Sequence, residues 1–152
     1  MMQRFSARIL LLAVLGNLVL LPNATATINS NLSITIDGLR NQKGQVCLSL
    51  FSSSRGFPNN TQRSVQSKCV PIGSNPVMVN FGNLKAGNYA VAVIHDANRD
   101  GNLNSNAIGI PTEGFGFSRN PIIRTGPPKF GDSAILVAGP NTNIEIRLRY
   151  LL

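Results

Sequence analysis

From Leu32 onward, apolar residues recur at every second position in short runs, the period of a half-buried strand. "LSITIDGL" places Leu32, Ile34 and Ile36 on one face before Asp37-Gly38 ends the run. "QVCLSLF" sets Val46, Leu48 and Leu50 against Cys47, Ser49 and Phe51. "SKCVPI" is a weaker strand stopped at Pro71, and "VMVNF" runs clearly from Val77 to Phe81. In "NYAVAVIH" both faces are apolar, Tyr89, Val91 and Val93 on one and Ala90, Ala92 and Ile94 on the other. That pattern predicts a central strand covered on both sides. "AILVA" (Ala134 to Ala138) and "NIEIRLRY" complete the set. In the last, Ile144, Ile146, Leu148 and Tyr150 alternate with Glu145, Arg147 and Arg149. No amphipathic helix pattern stands out. Six or seven strands separated by Gly, Pro and Asn turns predict an all-β fold, an antiparallel β-sandwich of about seven strands.

The segment "FGNLKAGNYAVAV" resembles the corner of transthyretin-like (prealbumin-like) sandwiches within the wider Ig-like class. The resemblance implies that Tyr89 packs inward and that its hydroxyl caps backbone at the turn.

Ahead of the strands the pattern changes. Arg4 and Arg8 precede the apolar run "ILLLAVLGNLVLL", followed by Pro22 and by Ala24-Thr25-Ala26. A basic start, a short apolar centre and an A-x-A site describe a secretory signal peptide over residues 1–26. A membrane anchor is the alternative, but spanning takes roughly 20 apolar residues and Asn17 interrupts this shorter run. The expectation is therefore a single domain over residues 27–152, exported to the periplasm or the exterior without a transmembrane anchor.

Charge narrows the partners. The chain carries 14 Lys and Arg against 6 Asp and Glu, a net charge of +8, which becomes +6 once Arg4 and Arg8 leave with the leader. The bases are scattered, Arg40, Lys43, Arg55, Arg63, Lys68 and Lys85 among them, with no two adjacent. A thin spread of charge on an exported chain argues against nucleic acid and leaves weak contact with an anionic cell-envelope surface open. The two cysteines, Cys47 and Cys69, predict one disulfide in an oxidising compartment, worth roughly 3 kcal/mol through loop closure. No C-x-x-C accompanies them and His95 is the one histidine, so zinc and thiol chemistry have little support.

Between Asp96 and Ser133 no strand or helix is legible. So long a loop in a compact domain is usually functional, and Ile108, Ile110, Phe115, Phe117 and Phe130 make it too apolar for a linker. The expectation is one long ordered loop whose apolar side chains fold back onto the sandwich. Its opening, "HDANRDGNLN", has the form of half a calcium loop. Asp96, Asn98 and Asp100 fall at alternate positions before Gly101, with Asn102 and Asn104 next in order. Ala107 stands where a bidentate Glu is wanted, so Glu113 or Asp132 would have to close the coordination of a Ca2+ ion. The plainer reading is a turn in which Asp and Asn side chains bond their own backbone. A catalytic reading would pair His95 with Asp96 and with Glu113 or Ser118, yet no nucleophile motif is present.

"HDANRDGNLNSNAIGIPTEGFGFS", followed by "GPPKFGDSA", resembles an exported bacterial family known as domain of unknown function 2141. The matching positions are His95, Asp96, Asn98, Asp100, Gly101, Leu103, Gly109, Pro111, Glu113, Gly116, Phe117 and Ser118. Asn104 replaces the Asp usual in that pattern, which removes one carboxylate from the candidate calcium set. The family brings no established activity. The leading expectation is thus a non-enzymatic exported sandwich with a binding or metal-stabilised loop. A hydrolase-like enzyme using His95, Asp96 and Glu113 is the alternative. A carbohydrate-binding module ranks last, since the chain lacks Trp and has only Tyr89 and Tyr150 as tyrosines.

Overall fold

The computed structural model describes residues 29–152, so the leader reading of residues 1–26 lies outside the described residues. Eight strands follow one another: β1 (Ser30–Asp37), β2 (Gln45–Phe51), β3 (Gln66–Pro71), β4 (Val77–Leu84), β5 (Gly87–Asp96), β6 (Gly114–Phe117), β7 (Ile135–Val137) and β8 (Asn141–Arg147). A 3-10 turn at Thr61–Arg63 and a short helix, α1 (Phe130–Ser133), are the helical elements among these residues. One sheet has the order β4-β1-β8; the other has the order β3-β2-β5-β6, with β7 also paired to β5. The two sheets make the sandwich that the alternation predicted.

Alternation decides which side chains meet between the sheets. Leu32, Ile34 and Ile36 of β1, Val79 and Phe81 of β4 and Ile146 of β8 face Val46, Leu48 and Leu50 of β2 and Val91 and Val93 of β5. All are buried, and each such side chain contributes about 1.5–3 kcal/mol on leaving water. β5 is central, bonded to β2 along one edge and to β6 and β7 along the other. Tyr89 packs into the core and its hydroxyl donates to the Lys85 carbonyl at 2.9 Å, as the corner pattern implied. Cys47 stands directly opposite Cys69 in the β2–β3 ladder, Cα atoms 4.0 Å apart, and the two are bridged.

Two features depart from the sequence reading. β1 and β8 pair in parallel, whereas the other strand pairs are antiparallel. A parallel pair needs a long crossover, and the rest of the domain supplies it. The second is that β6 and the short α1 lie in what read as loop. Phe115 and Phe117 point outward, while Gly114 and Gly116 turn toward the other sheet. A Cβ on Gly114 would lie 2.5 Å from the Tyr150 ring, and one on Gly116 2.8 Å from Ile146. Backbone approach, not an apolar side chain, closes this strand's inner face. Beyond β8 the chain crosses to β6, where Phe115 and Arg149 exchange N–H···O bonds of 2.9 and 2.8 Å, joining the sheets at that edge.

Candidate functional site

Neighbouring residues of a strand point to opposite faces, and this separates His95 from Asp96 at the end of β5. His95 is 2% exposed and turned into the sandwich. Its Nε2 lies 2.8 Å from the Lys43 carbonyl, which can only accept, so the hydrogen-bond network places the proton there. Nδ1 then accepts from the Tyr150 hydroxyl at 2.7 Å, and that oxygen accepts the Arg40 N–H at 3.1 Å. The Arg40 guanidinium sits 4.2 Å from the Tyr150 ring centroid. Burial pushes the Tyr150 hydroxyl pKa above its ordinary value, while the Arg40 N–H and charge work against that rise. Both ring nitrogens of His95 are therefore engaged in tying the β1–β2 loop and the C-terminal segment to β5.

Asp96 faces the other way and is fully buried. Its Oδ2 accepts from Gln45 Nε2 at 2.7 Å and from the Gly101 N–H at 2.8 Å; Oδ1 accepts the Asp100 N–H at 3.1 Å. Gly101 has φ +78°, the left-handed turn that a glycine enters without strain. Glu113, just before β6, receives the Ala97 N–H on Oε1 at 2.8 Å and the Asn104 N–H on Oε2 at 2.9 Å. Glu113 thus holds both ends of residues 97–104 and Asp96 holds their middle, each by charge-assisted bonds to backbone.

The six expected calcium ligands fall into two groups. Asp96 and Glu113 are spent on N–H donors. Asp100 is exposed, and its Oδ2 receives the side-chain amides of Asn98 at 3.0 Å and Asn104 at 2.9 Å, while Oδ1 accepts the Asn102 N–H at 2.8 Å. The Asn102 side chain donates to the Asp100 carbonyl. The Asn104 amide oxygen is buried and unpartnered. Asp132 caps α1 instead, accepting the Lys129 N–H at 3.0 Å. Among the described residues, no three His, Cys, Asp or Glu side chains come together as a metal set.

The residues of the catalytic reading are not assembled. His95 points inward, and Asp96 and Glu113 lie toward the loop. Ser118 aligns with Val91, four residues from His95 along β5, or about 13 Å at the usual strand rise. Its buried hydroxyl accepts the Val91 N–H at 2.9 Å and donates to the Ser133 carbonyl, binding α1 to the sheet.

What the loop builds is a cleft. Over the outer face of β5 and β6 lies a space of about 720 Å³ floored by Ala92, Ile94, Phe115 and Phe117. Its walls come from residues 58–61, 101–111 and 123–127, with Leu151 at the edge. The stapled segment is one of these walls. Phe57 braces the floor from the side, its ring edge-on to Phe51 at 5.4 Å and to Phe117 and Phe130 at 6.0 Å. Phe115 and Phe117 fold back as expected, but Ile108 does not: it is 79% exposed, because the tight turn at residues 106–110 is closed by the Asn106 side chain and backbone. Sequence reasoning missed Gln45, which reaches Asp96 from across the sheet. It also missed Asn120, whose side chain bonds the β8 backbone at Arg147 N (2.8 Å) and Glu145 O (3.1 Å). An isolated Gln or Asn carries no signal when its partner is distant in sequence. Arg124, on the cleft wall, was one base among many.

Among the described residues no helix is long and apolar enough to cross a membrane. No curated protein and no solved structure matches the chain. One family model does match, described as an uncharacterized protein conserved in bacteria, over residues 34–145. That span takes in nearly all of the sandwich, the stapled loop and the floor of the cleft. The chain belongs to this bacterial family, DUF2141.

Proposed function

We propose that the chain is an exported, non-catalytic sandwich that recognises a small ligand in the cleft over its outer sheet face. The observation that carries this reading is the use made of Asp96 and Glu113: both carboxylates are committed to N–H donors that hold a cleft wall in position. Groups reserved for acid–base work would keep an oxygen turned toward substrate. Residues 1–26, with their basic start, apolar centre and A-x-A end, support export. The test is a fragment screen of isotope-labelled protein by amide chemical-shift mapping. Ligands that saturate should move Ala92, Ile94, Phe115 and Phe117 together; a screen whose hits scatter over the surface would sink the reading.

A second reading, a weak calcium site at Asp100, has its own support. The Asn98 and Asn104 amides converge on one Asp100 oxygen, and the Asn104 oxygen lacks a partner. Turning those two amides over would bring three oxygens together, an arrangement that repels itself unless a cation sits among them. A ligand bound only to the folded state must raise its melting midpoint. Thermal melts in millimolar calcium and in chelator therefore decide it, an unmoved midpoint ending the calcium reading.

A further inference from the structure

The cleft pairs an apolar floor with one formal charge. Arg124 is the one Asp, Glu, His, Lys or Arg among the residues that line it; the rest are apolar, glycine, or uncharged polar such as Asn59, Asn102 and Ser105. Its volume of about 720 Å³ lies within the roughly 300–1,000 Å³ of small-molecule sites. We propose that the cleft binds a single-chain amphiphile with an anionic head, a medium-chain carboxylate being the simplest case. The chain would lie on Ile94, Phe115 and Phe117 and the head would meet Arg124. This proposal rests on the recognition reading and names the ligand class.

Three observations point to that occupant. A guanidinium offers a planar fork of donors that matches carboxylate or phosphate; no acid lines the cleft, and Asp132, which borders the adjoining depression with Arg124, is engaged by the Lys129 N–H. The floor is aromatic and aliphatic but presents few hydrogen-bonding groups, which suits an alkyl chain and suits a sugar or nucleotide poorly. The rim also carries an exposed apolar side chain: Leu151, which lines the cleft, is 56% exposed. An entering chain would cover the exposed part of Leu151.

Calorimetric titration of the folded protein with decanoate, decyltrimethylammonium and decanol, each below its aggregation concentration, tests the assignment. Decanoate should bind once per chain, at least tenfold more tightly than the cation, and Arg124→Glu should reverse that order. Ala92→Leu, which raises the floor, should weaken all three, with a melt to show that the variant is folded. Decanol binding as tightly as decanoate, or decanoate binding unchanged by Arg124→Glu, overturns the head-group assignment and leaves recognition at the cleft standing. Saturable binding of none of the three overturns the proposal, and the fragment screen then judges recognition by itself. Capture by phosphatidylglycerol vesicles without binding of monomeric decanoate overturns it in favour of a membrane surface.

Discussion

On its inner face the five-stranded sheet meets another sheet; on its outer face it meets loops. The inner contact is made of Val, Ile, Leu and Phe side chains that interdigitate at every second position, from Val46, Leu48 and Leu50 to Ile34 and Phe81. The outer contact is made of backbone, held in place by Asp96, Glu113, Ser118 and the aromatic set around Phe57. Side-chain layers fill the space between sheets to the density of a crystal. A loop pinned at its ends by Glu113 and at its middle by Asp96 is held at a distance and leaves room beneath it. That difference explains why one molecule has a closed core on one side of a sheet and a cleft of about 720 Å³ on the other.

The comparison makes the inner face the larger source of stability, and Phe81→Ala should show it. Phe81 is fully buried between the sheets, so truncation removes its transfer free energy and leaves a cavity. The expected loss is about 3–5 kcal/mol in denaturant unfolding. A loss below that of any change on the outer face would place the larger share of stability in the loops.

Asp96→Asn should rank second. The amide keeps one acceptor oxygen but turns an N–H2 toward donors that now point at a carboxylate. If the oxygen stays with Gln45 and Gly101, the N–H2 group faces the Asp100 N–H, which keeps only Asn98 Oδ1 at 3.2 Å, and these opposed donors cost about 1–3 kcal/mol. The damage should be local. Hydrogen exchange should quicken at residues 97–104 while β1 and β4 keep their protection. Uniform loss across both sheets would mean that the loop and the core are one cooperative unit.

The same contrast sets what the sequence could disclose. The inner face was legible because alternation is written into each strand separately: Ile34, Leu48 and Val91 could be assigned inward without knowing their partners. Tyr89 was legible from the resemblance to a transthyretin-like corner, and the Cys47–Cys69 pair from an even count. β6 was not, since its inward positions are glycines whose reason is Tyr150, distant in sequence. The parallel pairing of β1 with β8 leaves no mark, because alternation carries no strand direction. The cleft is assembled from five separate segments, residues 58–61, 92–94, 101–117, 123–127 and Leu151, so no single stretch announces it. Asp96 and Glu113 were visible as acids, yet their role depends on which N–H groups the turn aims at them.

Asp100→Asn should have the smallest effect, and it sharpens the contrast between a carboxylate that staples and one that decorates. Asp100 is exposed, and its carboxyl is held below its ordinary value of 3.8 by the Asn104 amide first, then by the Asn102 N–H and the Asn98 amide. A depressed folded-state pKa means stabilisation that is present above the unfolded value and is lost as pH falls through the lower folded one. At neutral pH an Asn at this position still accepts the Asn102 N–H, and the Asn98 and Asn104 amides can turn over to offer oxygens to its N–H2 group. In Asn104 that rotation exchanges the buried, unpartnered oxygen for the N–H2 group. The variant should therefore melt with the wild type at pH 7 and should lack the part of the wild-type acid loss that develops below pH 3.8. If the loop is held by hydrogen bonds alone, calcium moves neither midpoint. A wild-type midpoint that rises with calcium while that of Asp100→Asn does not would put a cation among Asn98, Asp100 and Asn104, and the outer face would then rest on a metal as well as on its staples.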